Sequence, residues 1–328
     1  MAMKKVWMFF CMMALMMASC TKEVEFDGQQ TDPKLVVNGV QQVGQPARLC
    51  VERSVFFMDA KKDCRVKDLQ VDMYVNGLFK EQLSVRDSLH YESYFDYQTD
   101  SITYKLDYAF NYCEGRYILC KGDVLRFEVS SSEFEEKAIA ETTMPVAPQE
   151  VSFDTVRVES YADGYGMKVS FALKINDPNG ENYYNLRPDD GLSGFTSTDM
   201  VFQEMMTIED VGDAFGQNDY YGNGNYNVFN DVLFNGKEYT VSMQVTQSGE
   251  EFYEPFTLEV SCVDVSLYQY IKSYNSYSQS DPGGLVGMFT EPVQVYSNVR
   301  NGIGLVGAQS LPVTFTIDLT ANNTSFDF

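Results

Sequence analysis

Leu69-Gln70-Val71-Asp72-Met73-Tyr74-Val75-Asn76-Gly77-Leu78-Phe79 decides the fold class. Leu69, Val71, Met73 and Val75 alternate with polar or partly polar residues, the period-two pattern of a strand with one buried face. Asn76-Gly77 then supplies the pair a tight hairpin needs, because both turn residues must take positive φ. The chain turns back through Phe79 and Leu83. Outward from this hairpin the same period recurs. Leu125, Phe127 and Val129 carry it, as do Met167, Val169, Phe171, Leu173 and Ile175, which stop at the turn signal Asp177-Pro178-Asn179-Gly180. Leu233-Phe234, Asn235-Gly236 and the run Tyr239, Val241, Met243, Val245 predict a second hairpin. Strands are also expected at Val293 and Val295, and at Val313, Phe315, Ile317 and Leu319.

Helical spacing is convincing once. Leu267, Tyr270, Ile271, Tyr274 and Tyr277 follow Asp264 or Ser266 as cap, and Asp281-Pro282-Gly283 ends the segment. Thr142-Thr143-Met144-Pro145 and Pro148 read as a linker, since two prolines within four residues break strand pairing. The expected architecture is all-β, two tandem β-sandwich domains over residues 34–146 and 147–328, with one short amphipathic helix in the second.

The first residues carry an address. Lys4 and Lys5 precede an apolar stretch from Val6 to Ala18, and Ala18-Ser19 stand before Cys20, the layout of a cleaved export signal. The run is shorter than the ~20 apolar residues a bilayer crossing takes. Residues 1–19 therefore read as a lipoprotein signal peptide and Cys20 as the lipidation site, although Met17 stands where leucine is usual in such signals. The other reading is an ordinary signal peptide with a cysteine near the cut. Several palmitate-class chains on Cys20, at about 0.8 kcal/mol per buried methylene, make a stable membrane anchor. Residues 20–33, acidic through Glu23, Glu25 and Asp27, read as a flexible tether.

Removing residues 1–19 takes away Lys4 and Lys5 and leaves 22 basic against 47 acidic residues, net −25. Such a surface excludes phosphate-backbone binding, so no nucleic-acid partner is expected. Five cysteines follow Cys20: Cys50, Cys64, Cys113, Cys120 and Cys262. Cys50 with Cys64, and Cys113 with Cys120 across a turn at Glu114-Gly115, are possible bridges; the alternative is buried free thiols.

Chemistry-bearing patterns are few. Gly302, Gly304 and Gly307 match dinucleotide-binding spacing, but a strand rather than a helix follows them, so they read as a tight turn or close backbone packing. His90, the single histidine, leaves serine, cysteine and multi-histidine chemistry without parts and reads as an ordinary strand or loop residue. Asp177, Asn179 and Glu181 alternate oxygen ligands across a turn and form a candidate calcium set. Gly180 falls too early for an EF-hand, and a solvated turn is the preferred reading. The segment 212–231 carries Tyr220, Tyr221 and Tyr226 among glycine, asparagine and aspartate, which suits glycan or peptide recognition. No cofactor is expected. Carboxylates abound, but no spacing marks a hydrolase pair.

Several stretches in order resemble one family. Lys34-Leu35-Val36-Val37, Glu141-Thr142-Thr143-Met144-Pro145, Asp177-Pro178 with Asn182-Tyr183-Tyr184, Phe234-Asn235-Gly236, and Glu291-Pro292-Val293-Gln294-Val295-Tyr296-Ser297-Asn298-Val299 followed by Asn301-Gly302-Ile303-Gly304 are similar to the motifs of a Bacteroidota outer-membrane lipoprotein family of unknown function, domain-of-unknown-function family 4249. The resemblance implies an Ig-like or carboxypeptidase-regulatory-like N-terminal sandwich and a TonB-dependent transporter as neighbour. Lys22 and Glu23 after Cys20 resemble a surface-export signal, which implies a cell-surface orientation. No catalytic residues are carried over. The expected function is a non-enzymatic binding or accessory component; a structural or adhesive subunit is the alternative, and a glycan-active hydrolase comes after both.

Overall fold

Period-two burial becomes nineteen strands and two helices in the computed structural model, which describes residues 32–56, 63–96, 101–148, 150–160, 166–188, 193–210, 225–248, 256–280 and 293–317. The first half supplies β1 (Leu35–Gln42), β2 (Pro46–Arg53), β3 (Gln70–Val75), β4 (Leu78–Gln82), β5 (Ser84–Asp96), β6 (Ser101–Ile118), β7 (Val124–Ser130) and β8 (Ala138–Thr143). The second supplies β9 (Glu150–Ser160), β10 (Gly166–Asn176), β11 (Tyr183–Pro188), β12 (Ser193–Ser197), α1 (Met200–Met205), β13 (Thr207–Asp210), β14 (Asn225–Asn230), β15 (Glu238–Ser248), β16 (Phe256–Val263) and α2 (Val265–Gln279). Three short strands close the chain: β17 (Val299–Arg300), β18 (Val306–Gln309) and β19 (Val313–Ile317).

The hairpin at Asn76-Gly77 forms as its residues predict, with φ of 52° and 82°. Its inward side chains Val71, Met73 and Val75 join Leu125, Phe127 and Val129 of β7, and Leu35, Val37, Leu49 and Val51 across the layer, in one buried cluster. Val169, Phe171, Leu173 and Ile175 of β10 likewise face Tyr184, Phe229 and Val260 in a second. The fold is all-β, with sheets packed face to face.

One sheet serves both halves. Its order, β13-β14-β11-β16-β18-β1-β2-β6-β5 with β19 added on β16, runs from the second half into the first. The five-stranded sheet β17-β8-β7-β3-β4 covers one end and the four-stranded sheet β12-β15-β10-β9 the other. Residues 299–309, late in the chain, thus complete the N-terminal layers. β18 runs parallel to β1, Gly39 opposite Val306 through Gln42 opposite Gln309, while β17 pairs with β8. Gly304 before β18 and Gly307 within it permit close docking on β1 and on α2 respectively. Gly304 sits at φ 117°, where an added Cβ would collide with the Val37 carbonyl, and at Gly307 it would lie 2.9 Å from Leu267 Cβ.

Four expectations change. Asn235-Gly236 does not make a hairpin: β14 and β15 belong to different sheets, and residues 231–237 form a crossing turn closed by Phe234 N–H to Asp231 O at 2.8 Å and Lys237 N–H to Phe234 O at 2.8 Å. Val293 and Val295 are not in a strand; their segment runs beside α2, where Tyr296 N–H donates to Ser273 Oγ at 2.8 Å. Glu114-Gly115 is no turn but lies inside the long β6. Finally, α1 is a second helix, six residues capped by Asp199, whose side chain accepts from Val201 and Phe202 N–H; of its residues only Phe202 is buried, too little for periodicity to reveal.

None of the five described cysteines is bridged to another, so neither Cys50–Cys64 nor Cys113–Cys120 forms; Cys50, Cys64, Cys113 and Cys262 are buried and Cys120 is exposed. Burial pushes the thiols of Cys113 and Cys262 up to about 12 and raises that of Cys50 as well.

Candidate functional site: the junction cleft

The seam where β16 meets β18 is held by Asp264. It caps α2, accepting from Ser266 N–H at 3.1 Å and Leu267 N–H at 3.2 Å. The same carboxylate accepts from Ala308 N–H of β18 at 2.8 Å and from the Thr142 hydroxyl of β8 at 3.0 Å. Four donors from three elements fill a carboxylate's acceptor positions. Burial nevertheless raises its pKa, because removing the charge from water outweighs the hydrogen bonds that favour it.

A cleft of about 700 Å³ opens above this seam. Thr142 and Thr143, expected in a linker but paired as the end of β8, make one wall with Pro145–Pro148 of the linker; the turn Pro178 and Glu181–Tyr184 makes the other, and Cys262–Ser266 the floor. Val124, Val146 and Val265 expose 48%, 49% and 42% of their surface at its edge, an apolar rim. Glu141 and Glu181 add carboxylates, and among the described residues the lining holds no lysine, arginine or histidine. A smaller hollow of about 580 Å³ lies between α2 and residues Gln294–Ser297.

The turn wall is fixed from within. Asp177 is buried, takes the Tyr184 hydroxyl proton donor on Oδ1 and accepts from Gly236 N–H on Oδ2 at 2.8 Å. Asn182 bridges the turn, donating from Nδ2 to Pro178 O at 3.0 Å and Gly180 O at 3.1 Å and from N–H to Asp231 Oδ2 at 2.9 Å. Burial, with Asp177 adding repulsion, raises the Asp231 pKa despite these hydrogen bonds.

The candidate calcium set does not converge. Asp177 is turned inward onto Tyr184 and Gly236, the Asn179 amide oxygen lies against Gly236, and Glu181 is exposed and accepts from the Tyr183 hydroxyl at 3.2 Å. Among the described residues no three acidic, histidine or cysteine side chains group to hold a metal ion. Tyr220 and Tyr221 lie outside the described residues, as does Cys20. Tyr226 is on β14 and packs with Val228, Leu267 and Ile271 beneath α2; burial pushes its hydroxyl up to about 12. It is a packing residue rather than a platform offered to a ligand. His90 lies on β5, its ring 5.0 Å from that of Tyr108, and is absent from the cleft.

Sequence reasoning singled out Glu181 only as a metal candidate and missed Val146 and Val265 altogether. The linker and the turn were each visible, but no spacing says that they face one another.

Fold and cleft define a β-sandwich protein with a built concavity at its seam. The chain belongs to the family described as a domain of unknown function (DUF4249), whose match spans residues 21–311. No curated protein matches the sequence.

Proposed function

We propose that this protein is an outer-membrane lipoprotein of a Bacteroidota envelope, anchored through acyl chains on Cys20 and facing the cell exterior, which acts as a non-enzymatic binding or accessory component beside a TonB-dependent transporter. The junction cleft carries this reading. It is large enough for a ligand, since binding pockets span roughly 300–1,000 Å³. Its edge is apolar, and its buried acid, Asp264, is consumed by four structural donors, which suits recognition rather than proton transfer. The test is isolation from the native outer membrane in mild detergent. A transporter should co-purify with the wild type and be lost with Val146→Trp, which crowds the rim of the cleft; a protein recovered alone would overturn the reading. Cys20→Ala should release the body from the membrane or block its processing, and unchanged fractionation would exclude the anchor.

One observation favours a structural or adhesive subunit as the second reading. β5 is the terminal strand of the ten-stranded sheet, and the β5–β6 hairpin exposes Leu89, Tyr91, Ile102, Tyr104 and Leu106. Unprotected edges of this kind pair with further strands. Concentration-dependent polymers in sedimentation, abolished by a proline within β5, would favour it over the first.

A further inference from the structure

Resting on the cleft as the binding site, we infer that its occupant is an extended, basic segment of a partner protein, with aliphatic side chains on the valine rim and a lysine or arginine head group at Glu181. The rim offers Val124, Val146 and Val265, together with Pro145, Pro148 and Pro178, a surface that takes apolar side chains. Glu181, exposed on the turn wall, has one neutral donor, the Tyr183 hydroxyl at 3.2 Å, and forms no ion pair among the described residues. A carboxylate accepts about four hydrogen bonds, so most of its capacity faces the cleft and solvent.

On the far wall Glu141 meets Arg300 at 3.5 Å and Arg126 at 3.9 Å, so its charge is already matched and the cationic contact falls to Glu181. With no base among the described lining residues and a formal net charge of −23 on the chain, an anionic ligand is repelled and a cationic one steered in. A sugar finds little here. The two aromatic rings in the lining are already used: Tyr184 is buried and stacks on Phe229 at 5.3 Å, and the Tyr183 ring lies 4.7 Å from that of Tyr268. Neither ring is left as an open platform on which a sugar could stack.

The experiment uses the full-length lipoprotein in detergent and a fluorescent seven-residue peptide alternating valine with lysine, beside the same peptide with glutamate for lysine. Saturable binding of the lysine peptide alone, weakened about tenfold by Glu181→Lys and falling with added salt, is the expected result. Val146→Trp should abolish it. Loss with Val146→Trp but not with Glu181→Lys would overturn the cationic occupant and leave the cleft as the binding site. Binding that neither variant changes would overturn the cleft as well. Equal binding of both peptides, or no saturation up to about 1 mM, would overturn the inference while leaving transporter co-purification as a separate test of the proposed function.

Discussion

The two sandwiches solve the same packing problem with different materials. The N-terminal core is built from small and aliphatic side chains, Ala47, Ala138, Ala140 and Ala308 among valines and leucines, with Phe127 as its one fully buried aromatic ring. In the C-terminal core Phe171, Tyr184, Phe202, Phe229 and Phe234 interlock, with Phe229 4.9 Å from Phe202 and 5.3 Å from Tyr184. Their connectivity differs more. The aromatic core draws on β10, β11, β14, β15 and β16, whereas the aliphatic core needs β17 and β18, brought from some 260 residues beyond β1. Thin layers of small side chains tolerate little loss of partners, and a strand closed over so long a separation is lost early when its contacts weaken.

The comparison breaks most visibly on truncation. A chain ending at Asn298 loses β17 and β18 from the first sandwich, and from the second it loses β19 and the pairing of β16 with β18; hydrogen exchange should show protection lost across β1, β2 and β8 while β10 and β15, in the separate four-stranded sheet, keep theirs. Equal loss in both would mean that the shared sheet makes them one cooperative unit. Next in size, Phe127→Ala and Phe229→Ala should each cost about 3–5 kcal/mol in urea unfolding, and the aromatic core should be the less able to collapse into its cavity.

Asp264 tests the seam. Asp264→Ala removes a cap and strands the Ala308 N–H and the Thr142 hydroxyl, costing about 2–4 kcal/mol. Its pH signature has a definite sign. Burial holds the folded carboxyl above its ordinary value of 3.8, so this group's stabilising contribution is complete below that pH and is lost as pH rises through the folded value. Urea midpoints should show that slope in the wild type and lack it in Asp264→Asn. Tyr184→Phe, which takes away one donor to buried Asp177, should cost about 1–2 kcal/mol and affect the C-terminal sandwich alone. Smallest is a labelling effect: at pH 8 a thiol reagent should modify Cys120 in the folded body with no change in stability, and reach Cys50, Cys64, Cys113 and Cys262 only after denaturation.

Legibility followed the range of the interaction. Asn76-Gly77 announced its hairpin because two adjacent residues carry the backbone requirement. Asn235-Gly236 has the same letters and failed, since Gly236 N–H is spent on Asp177 and Phe234 plugs the core, sending the chain to the other sheet. Helix α2 was readable to within two residues of its cap, Asp264 or Ser266, and the structure decides for Asp264, which bonds to residues two and three positions on. That the same carboxylate reaches Thr142, 122 residues away, leaves no local trace. The cleft inherits this: Val146, Glu181 and Val265 look like ordinary linker, turn and helix residues until they share a cavity.

The sequence by itself determined the all-β class, the strands with one buried face, the place of α2, the acidic charge and the family. All of these rest on interactions within a few residues or on composition. Tertiary structure alone decided that one sheet runs through both sandwiches, that residues 299–309 return to complete the first, and that a linker and a turn face each other across Asp264. Those outcomes depend on hydrogen bonds and packing between segments far apart in sequence, for which alternation and spacing hold no information.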